Sequence, residues 1–357
     1  MRVLSAPLAL AVALSTAAPL HAAPPRLKNG QVVETTRAGT LAQSIAALIK
    51  SVAQPAWIGY AVDARPGARI CSGVWEGRRN VGELERSDEG LTISGDGDDD
   101  SEMSVDRRLL ILLRVDNDRI ERVRVYTDDC PLDGGSRTLH WLGDASHAQS
   151  LACLEALLAG ADARRLRREE FAEKIISAIA WHDDPAALDA LERVYAGCED
   201  DKLRGSLVFW IGQTDEARAV TFLTRALRED RSGEVREQIV FAISQLESPA
   251  AADALIELAR NDRNAEVRSR ALFWLAQMAG EKAKETIRDA AIDDPDAGVK
   301  EQAVFALSQL PDDEGIPLLI EVARNNPSPK VREQAIFWLG QSEDPRALSF
   351  FEEILSR

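Results

Sequence analysis

A 32-residue self-similarity in the C-terminal part constrains the fold of this chain more than any other feature. The best-matched core reads VFWIGQ, VFAISQ, LFWLAQ, VFALSQ and IFWLGQ, at a constant interval without insertion. A repeat of this length indicates a structure in which each unit covers its apolar face with its neighbours. Successive units begin at Phe171, Leu203, Val235, Val267, Val299 and Val331.

Each unit is predicted to be a pair of helices. On a helical wheel Val331, Ala335 and Leu339 fall on one side, which indicates a buried stripe. A second helix follows a turn in which Pro345 marks a first helical position. Because neither helix can cover its apolar side by itself, residues 146–357 are predicted to form an α-solenoid.

The repeats resemble HEAT repeats, most closely those of the bilin-lyase-like HEAT subgroup, over residues 147–357. The resemblance rests on a Val-Arg pair at the start of one helix, as at Val235 and Arg236, with an aspartate before it. It implies a protein-interaction scaffold and, as a remote alternative, a bilin-lyase-like enzyme. It also implies a structural ladder that joins successive repeats through Asp230, Asp262, Asp294, Arg236, Arg268 and Arg332.

Tryptophan and alanine alternate at one register of the apolar stripe. Alternating large and small side chains favour layers that interdigitate, so we expect these tryptophans to be buried in the core. Aromatic binding pockets are the alternative. The positions are Trp210, Trp274 and Trp338, which alternate with Ala178, Ala242 and Ala306.

Two further registers point away from the apolar stripe. The resemblance places both on the inner, concave side, which the Val-Arg helix lines in HEAT proteins. The phenylalanines are expected either to pack on the next helix or to anchor an extended peptide, and the glutamines to bond neighbouring backbone or peptide amides. These candidate partner-binding residues are Phe209, Phe241, Phe273, Phe305 and Phe337, with Gln213, Gln245, Gln277, Gln309 and Gln341.

The N-terminal part resembles no family that we recognise. Residues 23–37 are interpreted as an extended leader and residues 38–145 as a small α+β domain, with strands predicted at 57–62, 69–74, 108–115 and 120–126. Asn117 and Asp118 predict a hairpin turn, and the alternation of arginine with valine after it predicts one solvent-facing side of a sheet. A domain of this kind could sense a ligand, with the solenoid as transmitter; this is an alternative function.

A disulfide is expected between Cys71 and Cys130, because both lie in the N-terminal part and an exported protein meets an oxidising compartment. Cys153 and Cys198 are expected toward opposite ends of neighbouring helices, beyond the reach of a disulfide.

The sequence shows no P-loop, no nucleophile elbow, no zinc-protease motif and no dinucleotide-binding motif. We therefore expect neither an enzyme nor a bound cofactor or metal. The acidic segment from Asp96 to Glu102 lacks the spacing of an EF-hand, so a solvated turn is expected, with adventitious calcium as the alternative.

Residues 1–22 have the features of an export signal. Arg2 precedes an uncharged stretch from Val3 to Ala18, and cleavage is expected after Ala22, with an uncleaved anchor as the alternative. The mature protein is then expected to be periplasmic or extracellular and not to span a membrane. The formal net charge of −16 disfavours nucleic acid and anionic lipid. The expected partner is a protein or peptide of unknown identity.

Overall fold

The computed structural model describes residues 23–71, 81–86, 107–161, 169–214, 216–246, 248–278 and 280–356. These residues divide into two units. The first unit extends up to Asp63 and from Gly67 to Gln149, and the second contains Ala64–Pro66 and the residues from Ser150 onward. The expected export signal at residues 1–22 and the acidic segment at residues 96–102 lie outside the described residues.

A sheet and a helix form the described part of the first unit. The strands are β1 (Leu27–Glu34), β2 (Ala56–Asp63), β3 (Gly82–Glu83), β4 (Arg108–Asp116), β5 (Arg119–Thr127) and β6 (Leu132–Asp144), and the helix is α1 (Leu41–Ser51). The strand order is β1-β6-β2-β4-β5, with β3 also paired to β6. Strand β6 runs parallel to β1 and β2, whereas the β2–β4 and β4–β5 pairs are antiparallel.

Several local predictions for this unit can be compared with the strands. The hairpin turn is confirmed, because Asn117 and Asp118 both have positive φ, at 52° and 59°, as in a type I′ turn. The segment interpreted as a leader contains strand β1 and so takes part in the sheet. The strand predicted at residues 69–74 is absent from its described part, residues 69–71. Strand β6 was not predicted.

The prediction of a solvent-facing side of the sheet is wrong. Arg124 and Tyr126 are each only 1% exposed. The Arg124 guanidinium donates to the carbonyl of Arg86 at 2.5 Å, and that of Arg122 donates to the carbonyl of Glu85 at 3.1 Å. The segment around residues 84–86 thus lies over this side, and its carbonyls satisfy guanidinium groups that would otherwise favour water.

The structure contains the expected Cys71–Cys130 disulfide, with a Cα–Cα distance of 5.3 Å. Cys130 belongs to a buried cluster with Trp57 and Trp141, and Cys71 packs against that cluster. Cys153 and Cys198 are free thiols.

Helices form the second unit as two layers. One layer contains α3 (Glu169–Ala180), α5 (Asp201–Gly212), α7 (Gly233–Ser244), α9 (Ala265–Gln277), α11 (Ala297–Ser308) and α13 (Pro329–Gln341). The other contains α4 (Ala186–Gly197), α6 (Glu216–Glu229), α8 (Pro249–Asn261), α10 (Glu281–Asp293), α12 (Asp312–Asn325) and α14 (Pro345–Leu355), and α2 (His147–Ala159) precedes both. Successive helices of the first layer contact one another more extensively, so we call it the inner layer.

A recurring cap begins four of the inner helices. The side chains of Asp200, Ser232, Asn264 and Asp296 each accept a hydrogen bond from a backbone N–H of the first turn, and they recur at one register of the repeat. Each helix then buries its apolar stripe; in α7, for example, Val235, Ile239 and Val240 are fully buried. Because the caps recur at one register, each helix begins at the same position of the repeat. The same positions of each helix are therefore exposed to solvent.

Candidate partner-binding surface

Buried ion pairs join successive inner helices. Each carboxylate of the ladder also accepts the backbone N–H of the residue two positions later, at 2.8 Å, so it fixes the turn before the next inner helix as well. Carboxylates held in this way position each inner helix against the one before it. The pairs are Arg204–Asp230 at 2.9 Å, Arg236–Asp262 at 2.9 Å and Arg268–Asp294 at 2.7 Å.

Arg204 is a ladder residue that the sequence analysis missed. It lies one full repeat before Arg236, so the register could have found it, but leucine replaces the valine of the Val-Arg pair. Tyr195 donates a further hydrogen bond to Asp230 at 2.6 Å. Burial acts to raise the pKa of Asp230, but the hydrogen bonds from Tyr195, Ser232 and Arg204 lower this pKa below its ordinary value.

The ladder does not include Arg332 in the expected way. Its guanidinium donates to the backbone carbonyls of Asn326 at 2.7 Å and Pro327 at 3.2 Å, and not to a carboxylate. In the other pairs the aspartate stands 26 positions after the arginine. Among the described residues, Arg332 instead donates to the turn that precedes α13. Arg332 therefore holds the turn before its own helix.

The phenylalanine register lies on the inner layer, one residue on each helix from α5 to α13. Phe209, Phe241 and Phe337 are 42%, 39% and 56% exposed, although they are large apolar side chains. Phe273 and Phe305 are half-buried. Some rings of this register thus pack on neighbouring rings, and others are exposed to solvent.

Aromatic contacts on the inner layer group into three-ring clusters, each with a central tryptophan. The first cluster is Trp181, Trp210 and Phe209, the second is Phe241, Trp274 and Phe273, and the third is Phe305, Trp338 and Phe337. Ring centroids within them lie 5.0 to 6.2 Å apart. Phe273 and Phe305 are nearly parallel at 6.4 Å, which connects the second cluster to the third. The clusters recur at every second repeat, which is twice the sequence period.

The tryptophans are less buried than expected. Trp210 is 8% exposed, but Trp274 and Trp338 are only half-buried. Their register lies at the border between the apolar stripe and the phenylalanine register, so each indole contacts the phenylalanine that precedes it. The prediction of full burial is confirmed for Trp210 and wrong for the other two.

A compensating change completes the first cluster. Ser177 stands where later repeats have phenylalanine, and Trp181 stands where they have glutamine. Trp181 supplies the missing ring, because its centroid lies 6.2 Å from that of Trp210. In the second cluster Phe241 makes the corresponding contact with Trp274. The first repeat therefore lacks the ring at the phenylalanine register and has a ring at the glutamine register instead.

The glutamine register is exposed at all five positions. The amide of Gln245 donates to Ser244 Oγ at 3.3 Å, and that of Gln309 donates to Ser308 Oγ at 3.2 Å. The side chains of Gln213, Gln277 and Gln341 have no hydrogen bond within the described residues. The expected bonding to neighbouring backbone is therefore not seen, and amide groups remain open next to the rings.

A comparison with known protein families identifies the repeats that carry these rings and glutamines. The family model of HEAT repeats matches residues 194–276, 252–340 and 284–357. Residues 194–357 are HEAT repeats. All five phenylalanines and all five glutamines lie within these HEAT repeats, and Trp181 precedes them.

Several solved structures are similar to this chain at low sequence identity. The complex of CpcE and CpcF of the phycocyanin lyase of Nostoc sp. PCC7120 is 22% identical, with 44% of this chain and 100% of that chain covered and a TM-score of 0.33. Human deoxyhypusine hydroxylase is 16% identical over 58% and 90% of the two chains, with a TM-score of 0.28. The Cnd3–Cnd2 subcomplex of S. pombe condensin is 18% identical over 54% and 28%, with a TM-score of 0.32. A search of curated proteins found no match.

Charged side chains occupy the first two turns of the inner helices in the HEAT repeats. Arg270 pairs with Glu237 at 3.0 Å, and Lys330 pairs with Glu301 at 2.5 Å. Glu333 makes no ion pair within the described residues. On the side of these turns that carries the phenylalanine register, and not the ladder arginines, carboxylates outnumber cations. The side chains there are Glu234, Glu237, Glu266, Glu301 and Glu333 against Lys202, Arg270 and Lys330.

The described residues contain no cluster of three or more histidine, cysteine, aspartate or glutamate side chains with the geometry of a metal site. In the same part of the chain, no helix combines the length and the apolar character that a membrane crossing requires.

Proposed function

We propose that this protein is a non-enzymatic interaction scaffold that binds an extended segment of a partner protein along the inner layer of its HEAT repeats. One observation carries the proposal: Phe209, Phe241 and Phe337 stay 39% to 56% exposed on the layer where successive helices pack most closely. Aromatic side chains bury large areas at small entropic loss, so they act as anchors in protein interfaces.

The spacing of the surface suits an extended chain. Packed helices lie about 8–10 Å apart, and an extended segment advances about 3.3 Å per residue. About three partner residues would then pass each inner helix. The open amides of Gln277 and Gln341 would meet backbone groups that an extended segment leaves free.

We further propose that the protein works outside the cytoplasm after cleavage of residues 1–22. The disulfide between Cys71 and Cys130 supports this, because disulfides persist in oxidising compartments. The N-terminus of the protein purified from its native source tests the proposal. Mass spectrometry should find Ala23 as the first residue, and a retained Met1 would contradict cleavage.

The degree of exposure within the phenylalanine register allows binding to be separated from packing. The triple variant F209A/F241A/F337A removes the open rings, so it should lower the free energy of unfolding by less than about 2 kcal/mol. The double variant F273A/F305A removes half-buried rings and should cost about 3 kcal/mol or more. Thermal or urea unfolding measures both effects.

Partner recovery with these variants tests the function. Tagged mature protein is incubated with the native envelope fraction, and recovered proteins are quantified by mass spectrometry. The triple variant should lose its specific partners about tenfold or more, whereas L348A, which truncates a 62% exposed leucine on the outer helix α14, should retain them. Equal recovery by the folded triple variant would assign the phenylalanines to packing alone.

A further inference from the structure

The chain itself occupies the first aromatic cluster. Residues 64–66 belong to the same unit as the helices. There Arg65 donates its backbone N–H to the carbonyl of Trp181 at 2.9 Å, and Ala64 forms an antiparallel bridge with His182. The Arg65 guanidinium lies over the Trp181 ring, 5.2 Å from its centroid, and donates to the backbone carbonyl of Gln213. An extended segment thus places an arginine between a ring of the cluster and the end of an inner helix.

The second and third clusters present similar groups, and among the described residues no such segment lies over them. The residues equivalent to Gln213, two and four repeats later, are Gln277 and Gln341, which end α9 and α13. Phe241 and Phe305 contact the central tryptophans there, as Trp181 contacts Trp210 in the first cluster. Trp274 and Trp338, the central rings of these two clusters, are half-buried, whereas Trp210, the central ring of the first cluster, is 8% exposed.

The electrostatics of this surface favour a cation. Helix C-termini carry partial negative charge on carbonyls that have no partner within the helix, and the C-termini of α9 and α13 lie beside these clusters. Carboxylates outnumber cations along the other edge, where Glu333 has no ion pair within the described residues. The formal net charge of the chain is −16, which adds long-range attraction for a basic partner.

We propose that the second and third aromatic clusters bind arginine side chains of an extended partner segment, in the way that the first cluster holds Arg65. This inference rests on the proposed function and names the partner chemistry. Arginine suits the site better than lysine, because a planar guanidinium stacks on a ring while its remaining N–H groups donate to a carbonyl.

The distance between clusters sets the arginine spacing in the partner. Two helix spacings amount to roughly 16–20 Å, which an extended segment covers in about five or six residues. The partner motif is therefore two arginines about six residues apart, within a segment that stays extended. Proline between them would favour the extended form, since its φ is already fixed.

Peptide binding tests this assignment directly. The probe is a fluorescein-labelled peptide of twelve residues, with arginine at its third and ninth positions and serine or proline at the others. Matched peptides carry lysine at both positions, or arginine at the third and sixth. Fluorescence anisotropy with the full-length mature protein should show the first peptide binding at least about fivefold more tightly than either control.

Two protein variants locate the binding. The double variant F241A/F305A removes from each open cluster the ring equivalent to Trp181, and it should abolish the preference for arginine, whereas L348A should leave this preference unchanged. The variant R65A vacates the first cluster, so a longer peptide with a third arginine six residues before the others should gain about fivefold in affinity over its two-arginine parent. Thermal unfolding of each variant is measured first, and the peptide series on the unaltered protein decides the question should R65A fail to fold.

Different results overturn different proposals. The inference is wrong if the arginine and lysine peptides bind equally, or if the two arginine spacings bind equally. It is also wrong if F241A/F305A binds the first peptide as tightly as the unaltered protein does. Should partner recovery still depend on the exposed phenylalanines in that case, the proposed function stands with another partner chemistry. Should neither peptide binding nor partner recovery respond to them, both proposals are wrong.

Discussion

Lys300 and Asn326 occupy ladder positions at which other repeats have arginine and aspartate, so this pair of helices lacks a buried ion pair. Asn326 is 2% exposed, and its amide donates to the carbonyl of Ala291 at 2.8 Å. The two changes depend on each other, because a buried carboxylate without a guanidinium would be left uncompensated. With lysine at position 300, a neutral side chain at position 326 is therefore better tolerated than a carboxylate.

This dependence predicts the outcome of a double-mutant cycle. The variant N326D should lower the free energy of unfolding by about 2–3 kcal/mol, since it buries a carboxylate that has no guanidinium to pair with. Adding K300R should recover most of that loss, with a coupling energy of about 2 kcal/mol. Urea unfolding of the four proteins measures the cycle, and strictly additive effects would argue against a restored ion pair.

At the scale of the element, each inner helix shows how a local cap and a tertiary contact combine. The cap residues Asp200 and Ser232 set where α5 and α7 begin, and the ion pair between Arg204 and Asp230 then sets their relative position. Because both devices recur with the period of the repeat, the phenylalanine register stays on one layer from α5 to α13.

Two helical glycines show that helix propensity does not decide stability by itself. A Cβ on Gly340 in α13 would meet only the edge of Phe351 at 3.9 Å, whereas a Cβ on Gly315 in α12 would lie 2.5 Å from the carbonyl oxygen of Leu307. We expect G340A to raise the free energy of unfolding by about 0.5–1 kcal/mol, because alanine favours the helix. We expect G315A to lower it by more than about 1 kcal/mol, because the backbone must shift. Urea unfolding of both variants checks the opposite signs, and a shared sign would contradict the steric argument.

At the scale of the whole molecule, the two units are stabilised by different means. The helices depend on neighbouring repeats, whereas the sheet unit has strands from distant parts of the sequence and a disulfide. Strand β6 contacts β1, β2 and β3, so it joins segments that local sequence patterns treat separately.

Reduction of the disulfide should therefore destabilise the sheet unit selectively. The bond between Cys71 and Cys130 has a sequence separation of 59 residues, and closing a loop of that size contributes about 4 kcal/mol in the chain-entropy model. Hydrogen exchange should speed up in β2 and β4 after reduction or in C71S/C130S, and remain unchanged in α9. The variant C198S, at a free thiol, serves as control, and unchanged exchange in β2 and β4 would contradict the prediction.

Sequence periodicity determined the solenoid, its helix pairs, the buried stripe and the layer that carries the phenylalanine and glutamine registers. It could do so because each repeat contacts mainly its neighbours, so position within the repeat fixes the environment. The disulfide followed from the division of the chain into repeat and non-repeat parts. The hairpin turn at Asn117 followed from local turn chemistry.

Tertiary structure decided the rest, since those features depend on contacts between residues that no local pattern connects. The burial of Arg124 requires the carbonyl of Arg86, and strand β6 contains the adjacent Gly134 and Gly135, which local propensity disfavours in a strand. The three-ring clusters form only when separate helices meet. The same holds for Trp181, which supplies the ring that Ser177 lacks, and for Arg65, which reaches the first cluster from a distant segment. A one-dimensional register specifies which side a residue faces, but only packing specifies what it faces.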